Sequence, residues 1–193
     1  LQRRLGGIEG SEGELLHECT ETIIRHTDEL KEMVNEFSNF ARLPQVMPAP
    51  NDLNAAVREV VSLYEQAHPA IEFQFSPDAR LPRFDFDRDQ VKRVIINLVD
   101  NAVKYGGGAE ISCARSGGRL MIHVRDSGPG IPADQIDQMF EPFTRGPSSQ
   151  PGGRHGTGIG LTIARSLALS FEASVRLRNA PAGGVIATIE MKG

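Results

Sequence analysis

The chain has 193 residues, 39% of them apolar and 24% charged, with no tryptophan and a formal charge of −4. That length holds one large domain or a medium domain with an appendage, and the acidic balance excludes a general nucleic-acid binder, which needs a basic face to displace counterions. No apolar run reaches the length of a bilayer span and "LQRRLGGIEG" has no apolar signal core, so a cytoplasmic chain without direct membrane contact is expected. Cys19 and Cys113 are isolated thiols without CxxC spacing; both read as core residues.

In chain order, the opening "LQRRLGGIEGSEG" reads as the tail of one helix and a glycine-rich turn, as if the chain began partway through a helical hairpin. Residues 14–43 then predict one long helix. Leu16, Ile23, Leu30 and Phe37 recur every seven residues, with Thr20, Thr27, Val34 and Ala41 at or near the complementary seam, a stripe that calls for partner helices. Pro44, Pro48 and Pro50 end it.

Beyond the prolines, "NDLNAAVREVVSLYEQA" (51–67) has an N-cap candidate and a helical period, and "IEFQF" (71–75) alternates as a strand. "DRDQVKRVIINLVDNAVKYG" (87–106) predicts a strong helix with Val91, Ile95, Leu98, Val99 and Ala102 on one side. "AEISCAR" and "RLMIHVR" form a hairpin across "SGG". "PADQIDQMF" (132–140) predicts a short helix, and 144–157 is a polar loop too long for a mere connector. "IGLTIARSLALSF" is a further helix, and "ASVRLRN" with "GVIATIEMK" makes a closing hairpin. The expected fold class is α+β: a mostly antiparallel sheet covered by about three helices. A helical region at 1–45 precedes this compact domain at 46–193.

Four segments of the second region carry chemistry. In "NLVDNAVKYG", Asn97 and Asn101 lie one helical turn apart on one face. They decorate a surface, or they supply carbonyl oxygens suited to magnesium and phosphate. In "RDSGPGIP", Asp126 follows a strand and precedes Gly128 and Gly130. Its carboxylate caps a turn, or it accepts from an arginine, a backbone amide or an exocyclic amine, with the glycines admitting a flat ring. In "MFEPFTRG", Phe140 and Phe143 flank a proline and anchor the long loop, as the foot of a lid would. "GTGIGLTIA" opens a helix whose backbone N–H groups suit phosphate. It is neither a Walker motif nor a dinucleotide fingerprint, and the protein-kinase set is missing.

In this order and spacing the four segments resemble the N, G1, F and G2 boxes of bacterial sensor histidine kinases, within the ATPase superfamily shared with gyrase, Hsp90 and MutL. Residues 14–43 also resemble the second dimerisation helix of the nitrogen-regulation, NtrY-like sensor kinases. The resemblance implies an ATP/ADP site. Asp126 would accept from the adenine amino group while Gly128, Gly130 and Ile131 line the ring. Asn101 would ligate Mg²⁺ with Asn97 supporting it, Lys104 would reach phosphate, and Tyr105 would pack near adenine. Phe143, Arg145, Gly156, Thr157, Gly158, Gly160 and Leu161 would complete the lid edge and phosphate site, with Arg154 and His155 as weaker candidates.

No acceptor-histidine box is present: His17, His26, His68, His123 and His155 all lack its context. The resemblance places that histidine on a first dimerisation helix upstream of Leu1. It further implies a homodimer through helix 14–43, a response-regulator receiver domain as partner, and a parent anchored to the bacterial inner membrane. The alternatives are a slow ATPase, an anti-sigma-type kinase and a nucleotide-sensing pseudokinase. A hydrolase of this superfamily carries a glutamate base where Asn97 stands.

Overall fold

The structure is a computed structural model that describes residues 11–41, 45–144 and 157–192; in the first helix it describes the side chains of 13–28, 30, 31 and 34. The chain divides after Ala41 into two compact units.

The first unit holds α1, Ser11–Ala41, 31 residues long. Its seam residues Ile23, Leu30 and Val34 are 66%, 60% and 62% exposed, so the heptad stripe is uncovered at these positions. Thr20 and Thr27 donate their hydroxyl protons to the carbonyls of Leu16 and Ile23 at 2.7 and 2.8 Å, so these polar seam residues satisfy their hydroxyls within the helix. Cys19, expected in a core, is exposed. It lies beside the seam, where an isolated helix offers no cover.

The second unit is an α+β sandwich. β1 (Ala49–Asn51) and β3 (Phe84–Phe86) form a two-stranded antiparallel ribbon with Ala49 opposite Phe86. The main sheet contains β2 (Phe73–Ser76), β4 (Ala109–Ser116), β5 (Arg119–Arg125), β6 (Ser174–Asn179) and β7 (Val185–Lys192), ordered β2-β4-β5-β7-β6. β2 pairs β4 in parallel and every other pair is antiparallel. One face is covered by α2 (Leu53–Ala67), α3 (Arg88–Gly106) and α4 (Gly160–Ser170). The core follows from alternation. Ile111, Cys113, Leu120, Ile122, Val124, Ala187 and Ile189 point toward the helices and are buried against Val57, Val61, Ile95, Leu98 and Leu167. The opposite residues, among them Glu110, Ser112, His123 and Arg125, line an open polar depression.

Two aspartates start the helices. Asp52 accepts from Ala55 N at 3.1 Å. Asp87 Oδ1 accepts from Asp89 N and Gln90 N, and its Oδ2 from Met47 N at 2.8 Å, so one buried carboxylate caps α3 and fastens the segment leading into β1. Gly107, left-handed at φ 72°, ends α3, as a C-cap glycine does.

Segment 132–140 departs from the expected helix. It is a run of turns ending in a 3₁₀ turn, Asp137–Phe140. Only Met139 and Phe140 there are buried, too narrow a face to hold several α-turns.

Candidate functional site

The C-terminal half of α3 brings the asparagine pair to the edge of the core, beside buried Leu98, Val99 and Ala102. Each amide donates to the carbonyl one turn earlier: Asn97 Nδ2 to Arg93 O and Asn101 Nδ2 to Asn97 O, both at 2.8 Å. One donor of each amide is thereby held within the helix and each Oδ1 is left to accept or to ligate. The first residue of α4 lies against the pair. A Cβ on Gly160 would stand 3.5 Å from both Asn97 Oδ1 and Asn101 Nδ2. Among the described residues no side chain caps α4, so the positive end of its dipole lies open beside the pair. Leu161 follows on the same turn, half-buried.

Asp126, directly after β5, sits against Gly106, the last residue of α3, past the asparagine pair. Its backbone N–H donates to Val185 O at 3.0 Å. Its Oδ1 accepts from Gly128 N at 2.8 Å and Val185 N at 3.1 Å. One carboxylate oxygen therefore fixes the turn, and Oδ2 has no hydrogen-bond partner among the described residues. The carboxylate caps a turn through one oxygen and leaves the other open as an acceptor. Three glycines crowd it. A Cβ would fall 2.4 Å from Asp126 Cβ if placed on Gly106, 3.1 Å from its Oδ1 on Gly128, and 2.0 Å from its carbonyl on Gly184. Gly128 also meets the Tyr105 carbonyl at 2.8 Å. Lys104 is half-buried in the last turn of α3, its Nζ 6.0 Å from the ring centre of exposed Tyr105.

The ends of the long loop are pinned. Phe143 N donates to Gly158 O at 3.0 Å, and a Cβ on Gly158 would meet Phe143 Cα at 2.9 Å. Phe143 itself is left-handed at φ 65°, strain that a phenylalanine keeps only when its surroundings fix it. Thr157 Oγ1 accepts from Ile159 N at 3.4 Å. The expected pair of buried feet is divided. Phe140 is buried, held by Thr162 Oγ1 donating to its carbonyl at 2.9 Å and by the Arg165 guanidinium 5.1 Å from its ring centre. Phe143 is 59% exposed, because its positive φ turns the side chain out of the core. Arg145, Arg154, His155 and Gly156 lie outside the described residues.

The C-terminal half of α3 thus carries an asparagine pair against the start of α4 and ends on a glycine-packed carboxylate. Residues 86–193 match the family described as histidine kinase-, DNA gyrase B- and HSP90-like ATPase. The chain belongs to this ATPase family. It is 30% identical over 95% of its length to the nitrogen regulation protein NtrY of Azorhizobium caulinodans, and covers 24% of that protein. It is 30% identical over 85% of its length to the alginate biosynthesis sensor protein KinB of Pseudomonas aeruginosa, covering 28%. The chain thus spans about a quarter of the curated relatives it matches. Among solved structures, the catalytic domain of histidine kinase ThkA superposes with a TM-score of 0.65 at 29% identity, covering 76% of this chain and 95% of that one. As a member of this family the chain is an ATP-binding catalytic domain of the sensor-histidine-kinase type.

Three residues packed on Asp126 and the loop after it escaped the sequence. Gly106 reads as one more helix-ending glycine in "KYGGG", and Gly184 as a hairpin turn. Asn179 ends a strand, yet its amide accepts from Ile131 N at 2.9 Å and donates to Ile131 O at 2.7 Å.

Proposed function

We propose that this chain is the ATP-binding and catalytic portion of a sensor histidine kinase. It would bind Mg²⁺-ATP, present the γ-phosphoryl group to a histidine outside these residues, and so feed a response-regulator aspartate. The observation that carries this reading is the asparagine pair packed against the start of α4, a few turns of α3 before Gly106 and the open oxygen of Asp126 that packs on it. The spacing suits an elongated ligand with a base at one end and anions at the other.

Among the described residues no group of three His, Cys, Asp or Glu side chains could hold a metal. A magnesium ion would accordingly take Asn101 Oδ1 and phosphate oxygens, supplying charge neutralisation. Asn97 supports Asn101 through the carbonyl that its neighbour's amide engages. Lys104 and Arg145 would contribute positive charge near phosphate, and Thr157, Gly158, Gly160 and Leu161 the backbone of the phosphate-facing edge. Phosphoryl transfer depends on positioning and charge more than on covalent help from the protein. Asn97 cannot take a proton, so attacking water lacks a base while an imidazole brings its own lone pair. That favours transfer over hydrolysis.

The exposed seam of α1 is the surface for a homodimer in the intact kinase, with residues 1–45 as the partial dimerisation region. A receiver domain is the phosphoryl recipient; the histidine kinase ThkA has been crystallised with its response regulator TrrA, and its fold matches over 98% of this chain with a TM-score of 0.75. The location is cytoplasmic, beneath a membrane-anchored sensor. No helix of the described residues is long and apolar enough to cross a membrane.

The test is a thermal melt with Mg²⁺-ADP. Ligand at about one hundred times its Kd stabilises by ~2.7 kcal/mol, a shift of roughly 5–10 °C for this size. Asp126→Asn should abolish the shift. The wild-type chain should then phosphorylate a separate helical fragment that carries an acceptor histidine. A melt that ADP leaves unmoved, or nucleotide binding without any transfer to that fragment, overturns the proposal.

A further inference from the structure

The loop that follows Asp126 is held from one side by the β6–β7 hairpin, and the paired residues that flank its turn, Asn179 and Val185, reach the two ends of the loop. At the near end, Asp126 and Val185 exchange backbone and carboxylate hydrogen bonds at 3.0 and 3.1 Å, with Gly184 at φ 85° allowing the contact. At the far end the link is a single side chain. Asn179 presents its carboxamide to Ile131 as a peptide group would, accepting from N and donating to O. Gly130, at φ 82°, turns the chain so that both Ile131 groups face it, and a Cβ there would lie 3.0 Å from Asn179 Oδ1. The hairpin turn is closed by Ala180 N to Gly184 O at 2.9 Å and Gly183 N to Ala180 O at 3.1 Å, so the distance between the two clamps is set.

We propose that Asn179 is a positioning residue for base recognition, holding loop 126–131 at the span that lets Asp126 prefer a 6-aminopurine over a 6-oxopurine. The inference rests on the nucleotide reading above and goes beyond it by assigning the preference to a residue that never touches the base. With Oδ1 engaged by two amides, Asp126 offers one acceptor, Oδ2. An amino group donates to it; a 6-oxo group sets acceptor against acceptor. The discrimination depends on where Oδ2 sits, because a hydrogen bond weakens steeply once its geometry slips. Asn179 governs that placement by fixing the loop's free end. Asn179→Ala removes both bonds from an exposed side chain, and Asn179→Asp keeps the acceptor for Ile131 N but sets a second acceptor against Ile131 O.

The experiment is calorimetric titration of the 193-residue chain with Mg²⁺-ADP and Mg²⁺-IDP, for wild type, both Asn179 variants and Asp126→Asn. Wild type should bind ADP more tightly. Either Asn179 variant should lower the ADP-to-IDP ratio about tenfold, the equivalent of one hydrogen bond to a charged acceptor, with IDP affinity nearly unchanged. Amide exchange at Ile131 should quicken in step. If both variants weaken ADP and IDP equally, Asn179 is merely structural and the proposal falls; an unchanged ratio sinks it as well. Asp126→Asn separates the two readings. If it also preserves the ratio, the amino-group role of Asp126 fails. If it loses the ratio while the Asn179 variants keep it, only the present inference fails.

Discussion

Gly106→Ala and Gly107→Ala test the packing around Asp126 because adjacent glycines meet opposite surroundings. On Gly106 a Cβ would stand 2.4 Å from Asp126 Cβ. Non-bonded carbons settle at about 3.5–4.0 Å, so one side must yield by more than about 1 Å. Gly106 is locked in the last turn of α3, leaving the loop of Asp126 to move. That displacement takes Oδ2 out of hydrogen-bond range of a base. A bond to a charged group contributes about 1.5–3 kcal/mol, so ADP affinity should fall by at least about tenfold. Overpacking costs about 1–3 kcal/mol and the helix preference of alanine returns about 0.5–1. The melting temperature should thus drop by only a few degrees, roughly 3–6 °C. On Gly107 a Cβ meets nothing within 4 Å, but φ is +72°. Alanine there costs about 1–2 kcal/mol of backbone strain and should leave ADP affinity intact. Calorimetry for binding and a thermal melt for stability separate the two. Wild-type ADP affinity in Gly106→Ala, or equal losses in both variants, would refute the cradle.

Two further outcomes follow from other parts of the fold. Asp87→Ala strips acceptors from three backbone amides, those of Asp89, Gln90 and Met47, and should lower stability by about 2–4 kcal/mol in urea titrations, with faster exchange at the Met47 amide; loss below about 0.5 kcal/mol would contradict the cap. His123 has its pKa lowered by burial and then by nearby Arg178, so the unfolded chain takes this proton first as the pH falls. The stability that neutral His123 contributes is full above the unfolded value near 6.5 and is lost as the pH drops from there through the folded value. His123→Gln should flatten that part of the stability–pH curve, and an unchanged slope would refute it.

What the sequence revealed is what local pattern encodes. The period of Val91, Ile95, Leu98 and Val99 placed α3 to within a residue, and the alternation of "RLMIHVR" gave β5 its exact bounds. The short ribbon of β1 and β3 was invisible, since three residues carry no period and Pro50 argues against a strand except at an edge. The asparagine pair and Asp126 stood out by residue type and spacing. Gly184 and Asn179 did not, because their meaning lies in contacts with Asp126 and Ile131 that are 58 and 48 positions away. The parallel pairing of β2 with β4 was equally hidden: register between separated strands is decided by tertiary packing.

Those same long contacts bear on the order in which the domain acquires its parts. The helices and the β4–β5 hairpin close over short stretches of chain, whereas the wall beside Asp126 waits for β6 and β7. Closing such large loops carries an entropy penalty before any contact repays it, and non-local pairing slows folding. During synthesis, a ribosome-bound chain stalled before Val185 would carry both asparagines and the carboxylate yet lack the strand that seats Asp126. Nucleotide affinity should therefore emerge last, as a sign that the sheet is finished.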